Sequence, residues 1–336
     1  MRIEVFMLSG QNNGEKDILR SYYTGILNYY FETKLKQFPN EAQVSKFIKL
    51  LKDDHSIKIN LNYNDYCDNE VDIAVIFGSA KDRDNLHHKV RTNVIQNAKN
   101  YIVIETPLLN RTIVKASNHS YYRIGINGFL NDQGEFNNDN MPDIRKNFFN
   151  ITPHKFKNHA DGDLLILLQL PGDASLRESD HGEWLLDTVE YIRQITDRNI
   201  VIRFHPAMSE KGHENFFRNI GTIVFKNYKN IIWSDGKTKS LHNDLENAGV
   251  CITYSSGSAI DAIIAGVPTI TVDAGNFGYS ISSKFIDDFQ SPYIPTDKER
   301  DQWLSNLAYC QWSREEMTNG DSFRHLFPRL KELSNV

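Results

Sequence analysis

Residues 253–268 read Thr253-Tyr254-Ser255-Ser256-Gly257-Ser258-Ala259-Ile260-Asp261-Ala262-Ile263-Ile264-Ala265-Gly266-Val267-Pro268. The apolar run Val250 to Tyr254 ends in hydroxyl and glycine residues, and a helical pattern begins at Ser258, so the stretch predicts a strand turning tightly into a helix. Backbone N–H groups and the helix dipole would then converge on one point, which favours a phosphate. Gly257 permits close backbone approach, and Ser255, Ser256 and Ser258 can donate hydroxyl hydrogen bonds. The competing reading is an ordinary serine cap on an α/β helix.

Upstream, the same logic repeats. Leu164 to Gln169 is a continuous apolar run, as expected of a strand buried on both faces; a helical pattern follows at Gly182 to Thr196, then a strand at Ile200 to Phe204. Ile220 to Phe225, Ile231 to Trp233 and Thr269 to Val272 read as further strands, with helices at Ser240 to Asn247 and Ser258 to Ala265. A doubly wound sheet is expected, and such sheets bind ligands at the C-terminal ends of their strands. Two more loops fall there. Gln169-Leu170-Pro171-Gly172-Asp173-Ala174-Ser175 offers Gly172 for close approach and Asp173 or Ser175 for a sugar hydroxyl, against the alternative of a Pro-Gly turn with a helix cap. Arg203-Phe204-His205-Pro206 places Arg203 and His205 on one side of the chain, where arginine can grip phosphate bidentately and His205 can add a hydrogen bond. Trp233 is assigned to the same donor side.

The first half alternates strand-like and helical segments too: Ile3 to Leu8, Lys16 to Leu35, Val71 to Phe77, Leu86 to Ala98 and Tyr101 to Glu105. That alternation marks parallel βαβ units. Asn127-Gly128 and Asp132 to Gly134 mark turns, and Asp143 to Gly162 reads as the connection between domains. A chain of 336 residues suits two such domains, and no apolar run approaches the length of a membrane span. The start at Met1 runs straight into a strand pattern without secretory features, so a cytoplasmic protein is expected. The three cysteines, Cys67, Cys251 and Cys310, have no metal-ligand spacing and read as packed reduced thiols. Net charge is −5, with the first half slightly basic and the second acidic. Lys81, Arg83, Lys89 and Arg91 fall in one basic segment that would suit an anionic partner or simply form a solvated helix face.

Glu105 ends a strand in Glu105-Thr106-Pro107, with Arg111 close behind. A carboxylate there could take a proton from an acceptor hydroxyl; a surface pair with Arg111 is the alternative. Asp132 is the substitute base, with Glu135 and Asp139 as loop rivals, and Arg111 and Asn127 are the acceptor-binding candidates. His87-His88 and the scattered Asp residues show no metal-binding pattern, so no metal site is expected.

The run Tyr254 to Pro268 together with Arg203-Phe204-His205-Pro206 resembles the donor half of GT-B glycosyltransferases, especially the capsule-polysaccharide group. Tyr122 to Leu130, Leu168 to Ser175 and Trp303 to Leu326 resemble glycosyltransferase-like proteins of tailed phages. The resemblance implies an α/β fold of two Rossmann-like domains facing across a cleft: 1–158 for the acceptor, 159–305 for the donor, and a helical segment 306–336 crossing back to the first. It places donor phosphates at Ser255, Ser256, Gly257, Ser258 and His205, with Arg203 beside them and Tyr254 and Asp261 close by. No Glu stands seven residues before Gly266-Val267-Pro268, where many GT-B sequences carry a ribose-binding carboxylate.

The function so implied is a hexosyl- or pentosyltransferase using a nucleotide sugar, a UDP-sugar by preference, without a tightly bound cofactor or required metal. The acceptor suggested by the phage likeness is 5-hydroxymethylcytosine in DNA. Surface or capsular polysaccharide synthesis is the alternative, and a non-catalytic nucleotide-binding protein on the same scaffold is the alternative of another class.

Overall fold

The structure, a computed structural model, describes residues 1–35, 57–80, 86–112, 115–177, 179–207 and 214–334. The chain divides into two compact units, one of residues 1–129, 133–141 and 306–336, the other of 130–132 and 142–305. Both are α/β, as the sequence predicts.

The first unit contains β1 (Arg2–Phe6), α1 (Asn13–Leu35), β2 (Lys58–Asn62), β3 (Ile73–Phe77), α2 (Leu86–Asn97), β4 (Asn100–Glu105) and β5 (Tyr121–Ile126). The second contains α3 (Ile144–Phe148), β6 (Asp163–Leu167), α4 (His181–Ile195), β7 (Ile200–Phe204), α5 (Glu214–Asn227), β8 (Ile231–Asp235), α6 (Leu241–Asn247), β9 (Ala248–Thr253), α7 (Ser258–Ile264), β10 (Thr269–Thr271) and α8 (Asp297–Ala308). The chain then returns to the first unit as β11 (Gln311–Ser313), α9 (Arg314–Asn319) and α10 (Asp321–Ser334).

The first sheet has the order β11-β5-β4-β3-β1-β2, with β2, β1, β3 and β4 parallel and β5 antiparallel to both neighbours. The chain steps from β1 to β2 on one side and then to β3 on the other, so the winding reverses beside β1. The second sheet, β10-β9-β6-β7-β8, is parallel throughout. It runs from β6 outward to β8, then jumps back across to β9, so it reverses between β6 and β9. At such reversals the helices on the two faces diverge and leave a crevice at the C-terminal strand ends.

Burial explains why these segments fold as they do. β3 is buried along its whole length, as are all six residues of β9, which matches continuous apolar strands covered on both faces. In the first unit, α1 packs on the returning segment through Tyr22, Tyr29, Phe323 and Phe327, whose rings meet edge-on or tilted. Gly25 permits this approach: a Cβ there would lie 1.8 Å from the Met317 carbonyl oxygen. In the second unit, Gly266 has φ of +73°, and a Cβ would lie 2.2 Å from the Lys155 carbonyl oxygen. All three cysteines are buried and unpaired, and burial pushes the Cys67 thiol up to about 11.

One expectation is corrected. Ile220 to Phe225 is helical, part of α5: Ile220 and Val224 are buried four residues apart while Ile223 and Phe225 are exposed, the pattern of one helix face and not of a pleat. The segment 297–333 is mostly helical, as α8, α9 and α10, interrupted by the short strand Gln311–Ser313, which pairs antiparallel with β5. β2 and β5 had no counterpart in the sequence reading; β2 alternates only between half-buried and exposed, so its strand character lies in pairing and not in apolar pattern. No helix among the described residues is long and apolar enough to cross a membrane.

Candidate functional site

The reversal of the second sheet brings two of the sequence-predicted loops side by side. β9 leads into Tyr254 to Ser258 and β6 into Gln169 to Ser175, and these strands are direct neighbours. Gln169 stitches the loops together. Its Oε1 accepts from the Ser255 backbone N–H (3.0 Å) and hydroxyl (3.2 Å), while its Nε2 donates to the Ser175 hydroxyl oxygen (2.6 Å) and to Ser255 Oγ (3.1 Å). Ser255 Oγ also reaches the Ser175 carbonyl oxygen at 2.6 Å. The three bonds between Gln169 and Ser255 are buried, so they act in low dielectric and hold both loops to one geometry.

Each loop is also braced internally. Gly172 has φ of +69°, which makes the Pro171-Gly172 turn. Asp173 caps the short helical turn Ala174–Leu176, accepting from the Ser175 N–H and hydroxyl. Ser256 accepts from the Ser258 N–H, its own N–H donates to Thr253 Oγ1 (3.1 Å), and its carbonyl is held by Asn276 Nδ2 (2.8 Å). Gly257 sits at φ −58°, ψ −17°, an ordinary helical conformation. Backbone strain therefore does not require glycine there, and the absent side chain is what distinguishes it. Asp261 lies half-buried in the first turn of α7.

Two aromatic groups unassigned from sequence complete this wall. His181 Nε2 accepts from the Gln169 N–H (3.0 Å), and its ring stacks on Trp184 at 5.0 Å and 4°. Tyr254 stands edge-on to Trp184, with centroids 5.8 Å apart. Burial pulls the His181 imidazole down to about 4 against the opposing pull of Asp180, so it is neutral near pH 7 with its proton on Nδ1.

Arg203 is given a different job from the one the sequence suggests. Its guanidinium is buried at the end of β7, donating to Asp244 (2.6 Å), Ser234 Oγ (3.3 Å) and the carbonyls of Lys239 (2.8 Å) and Ser240 (3.4 Å). It braces the loop after β8 and is not presented to a ligand. Burial pushes the Asp244 carboxyl up, but hydrogen bonds from Lys239, Ser234 and Arg203 outweigh it and hold it below the usual carboxylate range. Lys239, 44% exposed, adds a second cation to the same carboxylate, 2.5 Å from Asp244 Oδ1. His205 follows at the strand end, where its Nδ1 accepts from the Ala207 N–H (3.1 Å). Trp233 is a packing residue, stacked on Phe204 at 4.7 Å and tilted against Phe225.

The candidate bases separate. Asp132 is clamped by Arg177, both oxygens at 2.5 Å from one guanidinium nitrogen, with Asp273 also 3.4 Å from Arg177. A carboxylate spent on a guanidinium is poorly placed to take a proton. Glu135 pairs with Arg329 at 3.1 Å. Glu105 stands at the C-terminal end of β4, accepting from the N–H groups of Ser79 and Thr106, both at 3.0 Å. Arg111 is exposed in the following loop; burial, and after it the Arg111 charge, lower His119, which Glu105 pulls the other way. Asn127 is corrected as an acceptor ligand. It takes φ of +57° and exchanges hydrogen bonds with Tyr101 and Asn100, at the opposite end of β4 from Glu105.

Among the described residues no group of three His, Cys, Asp or Glu side chains is arranged to hold a metal ion. Lys81 and Arg83 lie outside the described residues; of the other two members of that basic segment, Lys89 is exposed and Arg91 is buried.

No family model matches this sequence, and no curated protein matches it. Solved structures with similar folds include the Thermosulfurimonas dismutans KpsC β-Kdo 2,4 transferase, 12% identical with a TM-score of 0.45, covering 75% of this chain and 83% of that one. The KpsC β-Kdo 2,7 transferase of the same organism is 12% identical with a TM-score of 0.44, covering 98% and 100%. The UDP-GlcNAc 2-epimerase of Methanocaldococcus jannaschii is 13% identical with a TM-score of 0.32, covering 99% and 100%. Likenesses this remote assign no chemistry to the chain, whose α/β character rests on its own two sheets.

Proposed function

We propose that this protein is a glycosyltransferase whose nucleotide-sugar donor, a UDP-sugar in the first instance, binds at the C-terminal ends of β6 and β9. One observation carries the reading: the two loops at the sheet reversal are locked to each other through Gln169, leaving Gly257 and the start of α7 beside them. The loops are braced by their own hydrogen bonds, and Gly257, without a side chain, lets a diphosphate approach the backbone at such a crevice. Glu105, at the C-terminal end of β4, is the proposed base for the proton of an acceptor hydroxyl.

A carbohydrate acceptor is favoured over DNA. Duplex binding needs several Lys and Arg side chains on one solvent face, and Arg91 from the basic segment is turned inward while the whole chain is acidic.

The test is a panel of UDP-, GDP-, dTDP- and CMP-sugars, with binding read by tryptophan fluorescence and turnover by release of free nucleotide. One nucleotide sugar should bind and be consumed with a glycan acceptor present. If none binds below millimolar concentration, the reading is wrong. Retention of hydroxymethylcytosine DNA at about 0.15 M salt, where screened contacts are weak, would overturn the choice of acceptor.

A further inference from the structure

The first sheet also reverses, beside β1, and a polar cleft of about 290 Å³ opens there, lined by Gly10, Gln11, Asn12, Glu15, His87, His88 and Arg91. It lies wholly within the first unit. The volume is that of a small-molecule site.

Two buried donors in its wall have spare capacity. Gln11 is 7% exposed; its Oε1 accepts from the Leu8 N–H at 2.9 Å, which fixes the amide, and its Nε2 is buried without a partner. Arg91 is also 7% exposed; one guanidinium nitrogen reaches the Ser79 carbonyl at 3.3 Å, and its Nε is buried without a partner. An unpaired donor costs free energy, and a charged one costs more, so the pairing of two beside one cleft points to a ligand that satisfies both.

The nearby carboxylates do not fill that role. Glu15 accepts from the Asn12 N–H (3.3 Å) while Asn12 Oδ1 accepts from the Glu15 N–H (3.0 Å), a reciprocal cap at the start of the 23-residue α1. Glu105 is engaged by the N–H groups of Ser79 and Thr106. Among the described residues, no carboxylate lies within ion-pair distance of Arg91. Glycines let the wall side chains pack close to the backbone: Gly78 has φ of +81°, and a Cβ there would lie 2.9 Å from the Arg91 guanidinium, while a Cβ on Gly10 would lie 3.0 Å from His87 Nδ1.

We propose that this cleft binds a small oxyanion, the carboxylate or phosphate of an acidic ligand, with Arg91 Nε and Gln11 Nε2 as its donors. The start of α1 adds a favourable dipole at the same place. Burial pulls Arg91 down, opposed by Glu105 and Glu15; burial and Arg91 lower His87, opposed by Glu15, and a bound anion would raise the histidine. This site does not depend on the glycosyltransferase reading, although an acidic acceptor sugar is the ligand that would join the two.

The experiment titrates the full chain with glucuronate, glucose 1-phosphate and neutral glucose, following the ring signals of His87 and His88 by NMR. At least one acid should bind saturably and shift both rings while glucose leaves them unmoved, and which acid binds identifies the group. Gln11→Glu keeps the acceptor for Leu8 but replaces the open amide donor with a carboxylate; Arg91→Lys keeps charge but moves the donor. Each should weaken the acid by about tenfold or more, with folding checked by thermal melting. Should Arg91→Lys not fold, Gln11→Glu alone decides. Failure of both acids to bind, equal binding of glucose, or unchanged affinity in Gln11→Glu overturns the proposal. No nucleotide sugar is present, so this outcome is read separately from donor turnover.

Discussion

Arg203 and Asp244 form a buried ion pair at 2.6 Å, with side chains 7% and 0% exposed, joining the end of β7 to α6. Removing one partner of such a pair strands the other in low dielectric. Arg203→Met should lower unfolding free energy by about 3–5 kcal/mol in urea, softened by whatever Lys239 still neutralises. Arg203→Met with Asp244→Leu should recover most of that loss. A single substitution costing under about 1 kcal/mol would show that the pair is not a brace.

Gln169→Ala removes three hydrogen bonds that tie the loop after β6 to the loop after β9, and a fourth, to Ser175, within the first of those loops. Nucleotide affinity measured by calorimetry should fall by about tenfold or more, because the two loops lose their fixed geometry. Gln169→Glu keeps the acceptor for Ser255 but not the donor to Ser175, and should fall between. Equal affinity in all three proteins would place the donor elsewhere.

The depressed His181 sets a pH dependence of stability. The folded imidazole titrates at about 4, below an unfolded value of about 6.5, so the folded state binds fewer protons between them. Its contribution is complete above about pH 6.5 and is lost as pH falls toward 4, by on the order of 3 kcal/mol. Denaturant midpoints across that window should fall more steeply in the native protein than in His181→Gln. Parallel curves would mean that the ring is not buried as a neutral base.

The glycines divide by cause. Gly266→Ala meets both a positive φ and a carbonyl at 2.2 Å, so melting should show a loss above about 2 kcal/mol. Gly257→Ala meets no backbone penalty at φ −58°. It should melt within about 0.5 kcal/mol of the native protein while binding nucleotide less well. If it binds equally, the backbone there does not approach a ligand.

Glu105→Gln retains an oxygen for one N–H while losing the basic second oxygen. Turnover should drop about a hundredfold or more with donor affinity nearly unchanged, the split expected of a group acting on the acceptor proton. A change confined to KM would assign it to binding.

Apolar runs bounded by glycine and serine were legible as β6, β7 and β9 because those strands are covered on both faces, where sequence and burial coincide. β2 was not legible, since its residues are half-exposed and its pairing with β1 is a backbone matter. Ile220 to Phe225 misled for a related reason: β-branched residues in a short run carry strand propensity, which the buried pair Ile220 and Val224 overrides in the packed chain. At the site, the loops after β6 and β9 could be read as loops at strand ends. Gln169, His181 and Lys239 could not be assigned, because a glutamine, histidine or lysine beside a strand has no local signature of its distant partner.

The sequence by itself determined two α/β halves, the strand-to-helix turn at Tyr254 to Ser258 and the Pro171-Gly172 turn, all of them local matters of periodicity and turn chemistry. Only the tertiary structure decided which loops became neighbours: strand order places β9 beside β6 and not beside β8, and that order is set by long-range pairing. It also decided that Arg203 faces Asp244, that Arg177 takes Asp132, and that Gln11 and Arg91 keep unpaired donors at one cleft. A charge's partner depends on burial and on chain segments dozens of residues away, so the residue type alone could name the chemistry but not the direction in which it is spent.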